Sequence, residues 1–279
     1  MPALPSSSPA ADLLEVLAAR TWRRIRASEE LGSPYGEESI TEANTLDLRA
    51  AGAREVLVVP VSKRAEAVYG ADWEWYVGNP VEGWWRYAVQ AKRISPDRTY
   101  RKLRYKVRGR LQSTLLRRYA ERAGAVPLYC FYNYDPTLGA GASGCWHCPL
   151  PYAPEQLGCT LAPLDVALRF VRRGARAAFR SVHAADAAVP WRCLLRCPGL
   201  NPGAHALRHP LASKGFENVR RRAELPPPIA ALWEQHATRR HAADDQALVG
   251  VPPVGLDVGA GDLEIVPRHV VVLTTGEPG

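Results

Sequence analysis

Residues 70–93 read GADWEWYVGNPVEGWWRYAVQAKR, and this stretch sets the expectation for the rest of the chain. Asp72, Trp73, Glu74, Trp75 and Tyr76 alternate acid and aromatic with period two, the pattern of a strand with one polar and one packed face. Gly78, Asn79, Pro80 and Gly83 are turn formers, and Trp84 to Lys92 is again aromatic and β-branched enough for a strand. A hairpin centred near Pro80 and Val81 places Asp72 opposite Gln90, and Gln90 and Lys92 share a face because they are two apart. Two acids, Asp72 and Glu74, an amide and an amine then converge. Oxygen ligands of this kind suit a hard cation, Mg²⁺ or Mn²⁺, and an ammonium beside it can steady an attacking water or the charge that develops on a phosphoryl group. The competing reading of Gln-x-Lys is a solvated strand face.

The chain has 279 residues, of which 47% are hydrophobic, enough for a packed interior. It contains no run of eighteen apolar residues and no signal-like start, so the expectation is a soluble cytoplasmic protein that spans no membrane. Residues 1–9 are expected to be a disordered tail. The net charge of +8 favours polyanionic partners, nucleic acid and DNA first. Its distribution is more telling than its sum. From Arg93 onward, Arg98, Arg101, Lys102, Arg104, Lys106, Arg108, Arg110, Arg117 and Arg118 are opposed only by Asp97 and Glu121, directly after the residues expected to carry chemistry, where a phosphate backbone would lie. A solvated helix face is the competing reading of that run.

Upstream, Asp12 to Ser28 has helical apolar spacing, and Ser39 or Thr41 can cap a second helix through about Ala51, with Glu38 and Glu42 flanking its first turn. Glu55 to Val61 reads as a first strand, at an edge because of Pro60, and Ser62 to Tyr69 as a loop or single turn. Val107 to Ala123 reads as a helix stopped by Gly124. Val126 to Asn133, VPLYCFYN, is apolar enough to be a central strand covered on both faces.

The resulting order of helix, three strands, helix and strand, with an acid on the second strand and Gln two residues before Lys on the third, resembles the PD-(D/E)XK nuclease superfamily. Val89-Gln90-Ala91-Lys92-Arg93 is similar to the Mrr-type restriction endonucleases, in which Gln replaces the usual Glu. The span from Glu37 to Asn133, with ESITE, GADWEW, QAKR and PLYCFYN, also resembles a bacterial family of unknown function. The superfamily resemblance implies a metal-dependent phosphodiester hydrolase, with Asp72 and Gln90 as Mg²⁺ ligands, Lys92 as the catalytic lysine, and Glu38 or Glu42 as the acid from the first helix. Gln90 removes one formal charge from that site, which then leans on Asp72 with Glu74 or a helix acid.

Beyond Asn133 the chain is rich in Gly, Pro and Cys. Cys145 and Cys148 form a C-x-x-C, and Cys193 and Cys197 are candidates to complete a structural zinc site, with Cys159 and His147 as alternative ligands and ordinary reduced thiols as the competing reading. Cys130 is expected to fill a core strand. Pro163 to Arg173 reads as a helix, Pro226 to Pro228 open another through about His236, and Glu264 to Thr274 is a final strand that joins the sheet edge or packs locally. His236, His241, Asp244 and Asp245 read as a solvated loop. Residues 176–222 show no clear periodicity.

The expectation is therefore an α/β protein with a restriction-endonuclease-like αβββαβ core over residues 10–175 and a loop-rich, partly helical extension over 176–279 that returns a strand. Its expected function is metal-dependent hydrolysis of nucleic acid, in defence against foreign DNA. The alternatives are a catalytically weakened module that binds nucleic acid or a protein, and a structural protein whose Trp-rich hairpin is only core. Oligomeric state is not legible.

Overall fold

The computed structural model describes residues 8–60, 70–138, 143–173, 176–184, 188–200, 208–245 and 269–275. Within them the chain is α/β. The expectations for the first residues and for Ser62–Tyr69 lie almost wholly outside these ranges, but Ser8 and Pro9 do not belong to a tail. Ser8 caps helix α1 (Pro9–Glu30) through its side chain, and Pro9 takes the position where a missing N–H costs nothing.

A seven-stranded mixed sheet carries the fold. Its strands are β1 (Val56–Pro60), β2 (Trp73–Asn79), β3 (Gly83–Arg93), β6 (Val126–Tyr132), β7 (Cys159–Pro163), β8 (Val189–Pro190) and β9 (His269–Thr274), in the order β1-β9-β2-β3-β6-β7-β8. The hairpin of β2 and β3 is present, and pairing of Trp73 with Val89 brings Asp72 beside Gln90. β6 runs parallel to β3 and is buried along its whole length, as its apolar run requires. The last strand does not sit at an edge. β9 is inserted between β1 and β2, antiparallel to the first and parallel to the second, and all six of its residues are buried. β1 is thereby the edge that Pro60 demands.

Helices cover both faces. Odd-numbered residues of the central hairpin, including Trp73, Trp75, Trp85, Tyr87 and Val89, join Leu14, Leu17, Ile25, Ile40 and Leu48 of α1 and α2 (Glu37–Ala50). Trp73, Trp75 and Trp191 meet edge to face, with ring centroids 5.3–5.9 Å apart. The opposite face packs on α3 (Gln112–Ala123), α4 (Leu164–Arg173), the one-turn α5 (Phe179–His183) and, beside β9, α7 (Pro227–Asp245). His236, His241, Asp244 and Asp245 are therefore helical rather than in a loop.

Burial of both faces changes the reading of β2. Glu74 is not on a polar face; it is 1% exposed and spanned by Arg86, whose Nε and Nη2 donate to the two carboxylate oxygens at 2.9 and 3.0 Å. α3 is also shorter than periodicity suggests. Residues before it form a two-stranded ribbon, β4 (Lys106–Val107) with β5 (Arg110–Leu111), turned by Arg108 and Gly109 at φ 48° and 78°. Two consecutive residues of positive φ make the tight turn that matches strand twist.

Two buried histidines carry a pH expectation. Leu211 N–H donates to Nδ1 of His209, so its proton lies on Nε2, 2.9 Å from the Tyr87 hydroxyl. His183 bonds the Phe179 carbonyl through Nδ1 and the Thr160 hydroxyl through Nε2. Burial pushes His209 down to about 3 and His183 down to about 4. The unfolded chain then binds more protons below the ordinary value of about 6.5, so this stability is complete above that pH and declines as pH falls towards 4 and 3, each tenfold difference in proton affinity being worth about 1.4 kcal/mol. The urea midpoint is expected to drop between pH 7.5 and 5, where carboxylates scarcely titrate, and His209→Gln should flatten the drop. An equal pH dependence in the variant would remove His209 as its cause.

Candidate functional site

A cavity of about 440 Å³ opens where the lead into β2, the end of β3 and the first turns of α2 and α3 meet. Asp72 and Lys92 both line it, together with Glu37, Glu38, Tyr105 and Gln112. Gly70 makes the meeting possible. It has φ +68°, and a Cβ there would lie 2.7 Å from the Gln112 carbonyl and 2.8 Å from the Leu116 nitrogen, so the chain entering β2 rests directly on the start of α3.

Asp72 is anchored by its own strand partner. One carboxylate oxygen accepts the Ala91 N–H at 2.7 Å and an N–H of the Gln90 amide, while the Asp72 N–H donates to the Val89 carbonyl at 2.8 Å. Gln90 is fully buried, and its Oε1 has no hydrogen-bond partner among the described residues. Lys92, 3% exposed at its side chain, donates from Nζ to Glu37 at 2.9 Å. The other Glu37 oxygen takes the Arg93 N–H at 3.1 Å. Tyr129 lies beside Gln90 on β6, and its buried hydroxyl is also unpartnered among the described residues. Burial, and then the Asp72 and Glu37 carboxylates, raise its phenol well above the usual value. Gln112, which does line the cavity, also has a buried Oε1 without a partner among the described residues.

Asp72, Gln90 and Lys92 thus come together as the hairpin register predicts. Of the helix acids, Glu37 joins them through its bond to Lys92, Glu38 lines the same cavity, and Glu42 is not among its lining residues. α2 begins at Glu37 behind Gly36, with no side-chain cap, so neither Ser39 nor Thr41 marks its start. Glu38 is exposed on the cavity wall, and Glu42, one turn on, is exposed outside it. Glu74 does not reach the cavity. The Tyr76 and Tyr119 hydroxyls as well as Arg86 bond its carboxylate, which leaves no oxygen to spare for a metal.

The basic run divides into several groups. Lys102 lines the cavity, and Lys106, Arg108 and Arg110 project from the β4–β5 ribbon, whose flanking residues Tyr105 and Gln112 form part of the cavity rim. Arg101 and Arg104 line a separate hollow of about 520 Å³ with Phe170 and Arg176. Arg93 follows Lys92 and so points to the other face of β3. Arg98 is a structural residue, with both terminal nitrogens on Glu29 at 2.9 and 3.0 Å and one on the Tyr134 carbonyl.

The cysteines also depart from expectation. Cys148, Cys193 and Cys197 gather with all three sulfurs within 4.8 Å of one another, and this is the only group of three or more potential His, Cys, Asp or Glu ligands among the described residues. Cys145 is not part of it and packs in a different core cluster from Cys148. Cys159 is buried apart, within reach of the Asn44 amide, and His147 bonds the His183 carbonyl. Cys130 fills the core beneath Trp191, whose N–H meets its sulfur at 3.1 Å. No described helix is long and apolar enough to cross a membrane.

No curated protein sequence matches this one significantly. A family model does, over residues 10–267, and the chain accordingly belongs to that family, which is described as a family of unknown function (DUF6615).

Proposed function

We propose that the protein hydrolyses phosphodiester bonds of nucleic acid, DNA first, at the cavity between α2, α3 and the β2–β3 hairpin, with Mg²⁺ or Mn²⁺ as cofactor. The observation that carries this reading is the meeting of Asp72, Lys92 and Glu37 at one opening, with Gln90 bonded to Asp72 behind it and an exposed basic ribbon beside its rim. It agrees with the resemblance of these same residues to the PD-(D/E)XK nucleases.

The donor set fits a hard cation. Asp72 supplies a carboxylate and Gln90, bonded to it, a buried carbonyl oxygen without a partner among the described residues, while Glu38 lines the same cavity; Mg²⁺ characteristically uses one or two carboxylates and keeps several waters. When bound, such an ion polarises a phosphoryl oxygen and lowers the pKa of its water. Lys92, fixed by Glu37, offers a positive charge where charge develops on the phosphoryl group. Gly36 to Ser39, at the start of α2, line the cavity, and the positive end of that helix adds a favourable field for an anion. Lys102 and the ribbon neutralise the flanking backbone.

The direct test is cleavage of DNA and RNA by the purified chain with Mg²⁺ or Mn²⁺, against a chelated control and the Lys92→Ala variant. A folded wild-type chain that cleaves neither polymer with either ion, and whose melting temperature neither ion moves, would end this reading.

Backbone contact by the ribbon has its own signature. Each phosphate neutralised on duplex DNA contributes about 0.9 to the slope of log K against log salt. Lys106→Ala, Arg108→Asn and Arg110→Ala together are expected to make that slope shallower by about 2 to 3 and to weaken binding in low salt. Asn is chosen at 108 because it tolerates the turn's positive φ. An unchanged slope would leave the ribbon a solvated surface.

A further inference from the structure

We propose that Cys148, Cys193 and Cys197 form a thiolate site for one Zn²⁺ ion, which fastens the segment after β6 to α6 (Cys193–Arg196) and the sheet face covered by α1. This site is independent of the cavity described above.

Spacing in the chain and in space both support it. Cys193 and Cys197 are four apart at the start and just past the end of α6, so their side chains fall on one side of that turn. Cys148 approaches from a distant segment, and its sulfur lies 3.9 Å from that of Cys197. Sulfurs about 2.3 Å from a tetrahedral zinc lie roughly 3.8 Å from one another. Sulfurs around a cluster of several irons stand further apart, so the compactness of this group selects a single ion. All three thiols are buried, at 7%, 0% and 3% exposure for Cys148, Cys193 and Cys197.

The surroundings favour thiolates. Arg192, itself 6% exposed, directs Nη2 to the Cys148 sulfur at 3.7 Å and stacks over the Trp146 ring. Zn²⁺ would displace three protons and leave a site of charge −1 facing the Arg192 guanidinium. Ion pairs from Arg192 and Arg196 to Glu15, and from Arg196 to Asp12, continue the connection into α1. Three protein sulfurs leave the fourth zinc position for a further ligand, and among the described residues no other His, Cys, Asp or Glu joins the group.

The test uses the full chain, stripped with a chelator under reducing conditions and titrated with Co²⁺ and then Zn²⁺. One equivalent of Co²⁺ is expected to give intense sulfur-to-metal absorption in the near ultraviolet and tetrahedral bands in the visible, both erased by one equivalent of Zn²⁺. Zn²⁺ should raise the melting temperature by about 5 °C or more. Cys148→Ser and Cys193→Ser should each weaken binding at least about 100-fold, and Cys145→Ser should leave it unchanged. The wild-type spectrum needs no variant to fold. Absence of a stoichiometric tetrahedral spectrum in the folded chain would overturn the proposal. So would loss of binding in Cys145→Ser alone, or a Cys148–Cys197 disulfide that persists under the reducing conditions of the titration.

Discussion

Lys92→Ala is expected to reduce metal-dependent cleavage by about 10²–10³-fold or more while leaving nucleic-acid affinity within about twofold. The ammonium is already held by Glu37 at 2.9 Å, so it spends little of its freedom on substrate, and its contribution should be felt when charge develops rather than when the polymer binds. Affinity is expected to rest elsewhere, on Lys102 and the exposed ribbon of Lys106, Arg108 and Arg110. Asp72→Asn should behave differently. The amide keeps an oxygen for the Ala91 N–H but loses the one charged ligand that both lines the cavity and touches Gln90, so turnover and the Mn²⁺-induced rise in melting temperature should disappear together. Removing a negative charge beside a phosphate should leave binding equal or tighter. If Lys92→Ala lost affinity and cleavage in equal proportion, Lys92 would be a binding cation. If Asp72→Asn kept its response to Mn²⁺, Asp72 would not be a metal ligand, and the other carboxylates that line the cavity, Glu37 and Glu38, would have to supply it.

Which of these residues a sequence can disclose depends on how local their determinants are. The pairing of Asp72 with Gln90 follows from a short turn and strict period two, so counting residues back from Asn79 and Gly83 suffices. Glu37 leaves no such trace. Its helix starts behind a glycine with no side-chain cap, and a search for Ser or Thr caps therefore starts the helix too late. The ribbon is hidden for a related reason, since Arg108 occupies a left-handed conformation that arginine seldom adopts. β9 is a misjudgement rather than a silence. His-Val-Val-Val-Leu is as continuously apolar as the β6 run, and the reasoning that places β6 in the middle of a sheet applies to it equally. Its partners are more than 190 residues away, and only burial on both faces signals where it lies. The cysteines show the limit of spacing rules. Cys145 and Cys148 are three apart, yet they pack into different core clusters, which no C-x-x-C pattern encodes.

Arg86→Met is expected to cost about 3–5 kcal/mol of folding stability, the usual consequence of leaving a buried charge without its partner. The pair lies deep, with side-chain exposures of 8% for Arg86 and 2% for Glu74. Every polar group around it is engaged: Arg86 also donates to the Ala123 carbonyl at 3.0 Å, and Tyr76 and Tyr119 complete the carboxylate. Burial opposes the guanidinium charge, but Glu74 more than compensates, so Arg86 is held more firmly protonated than in water. Removing it leaves the buried Glu74 charge with only the two tyrosine hydroxyls as partners. On a chain of this size the melting temperature should fall by on the order of 10 °C. Glu74→Gln should also destabilise, because it strands the arginine. Glu74→Met with Arg86→Met should recover much of the loss, since replacing both charges with apolar groups of similar size removes the desolvation cost along with the attraction. The measurement is a double-mutant cycle in urea with the slope of each transition compared, so that a change in the unfolded chain is not mistaken for a change in the pair. A cost below about 1 kcal/mol for Arg86→Met, or additive losses in the double variant, would show that β2 and β3 are held by their aromatic packing alone and that the ion pair beneath α3 is incidental to the hairpin that carries Asp72 and Lys92.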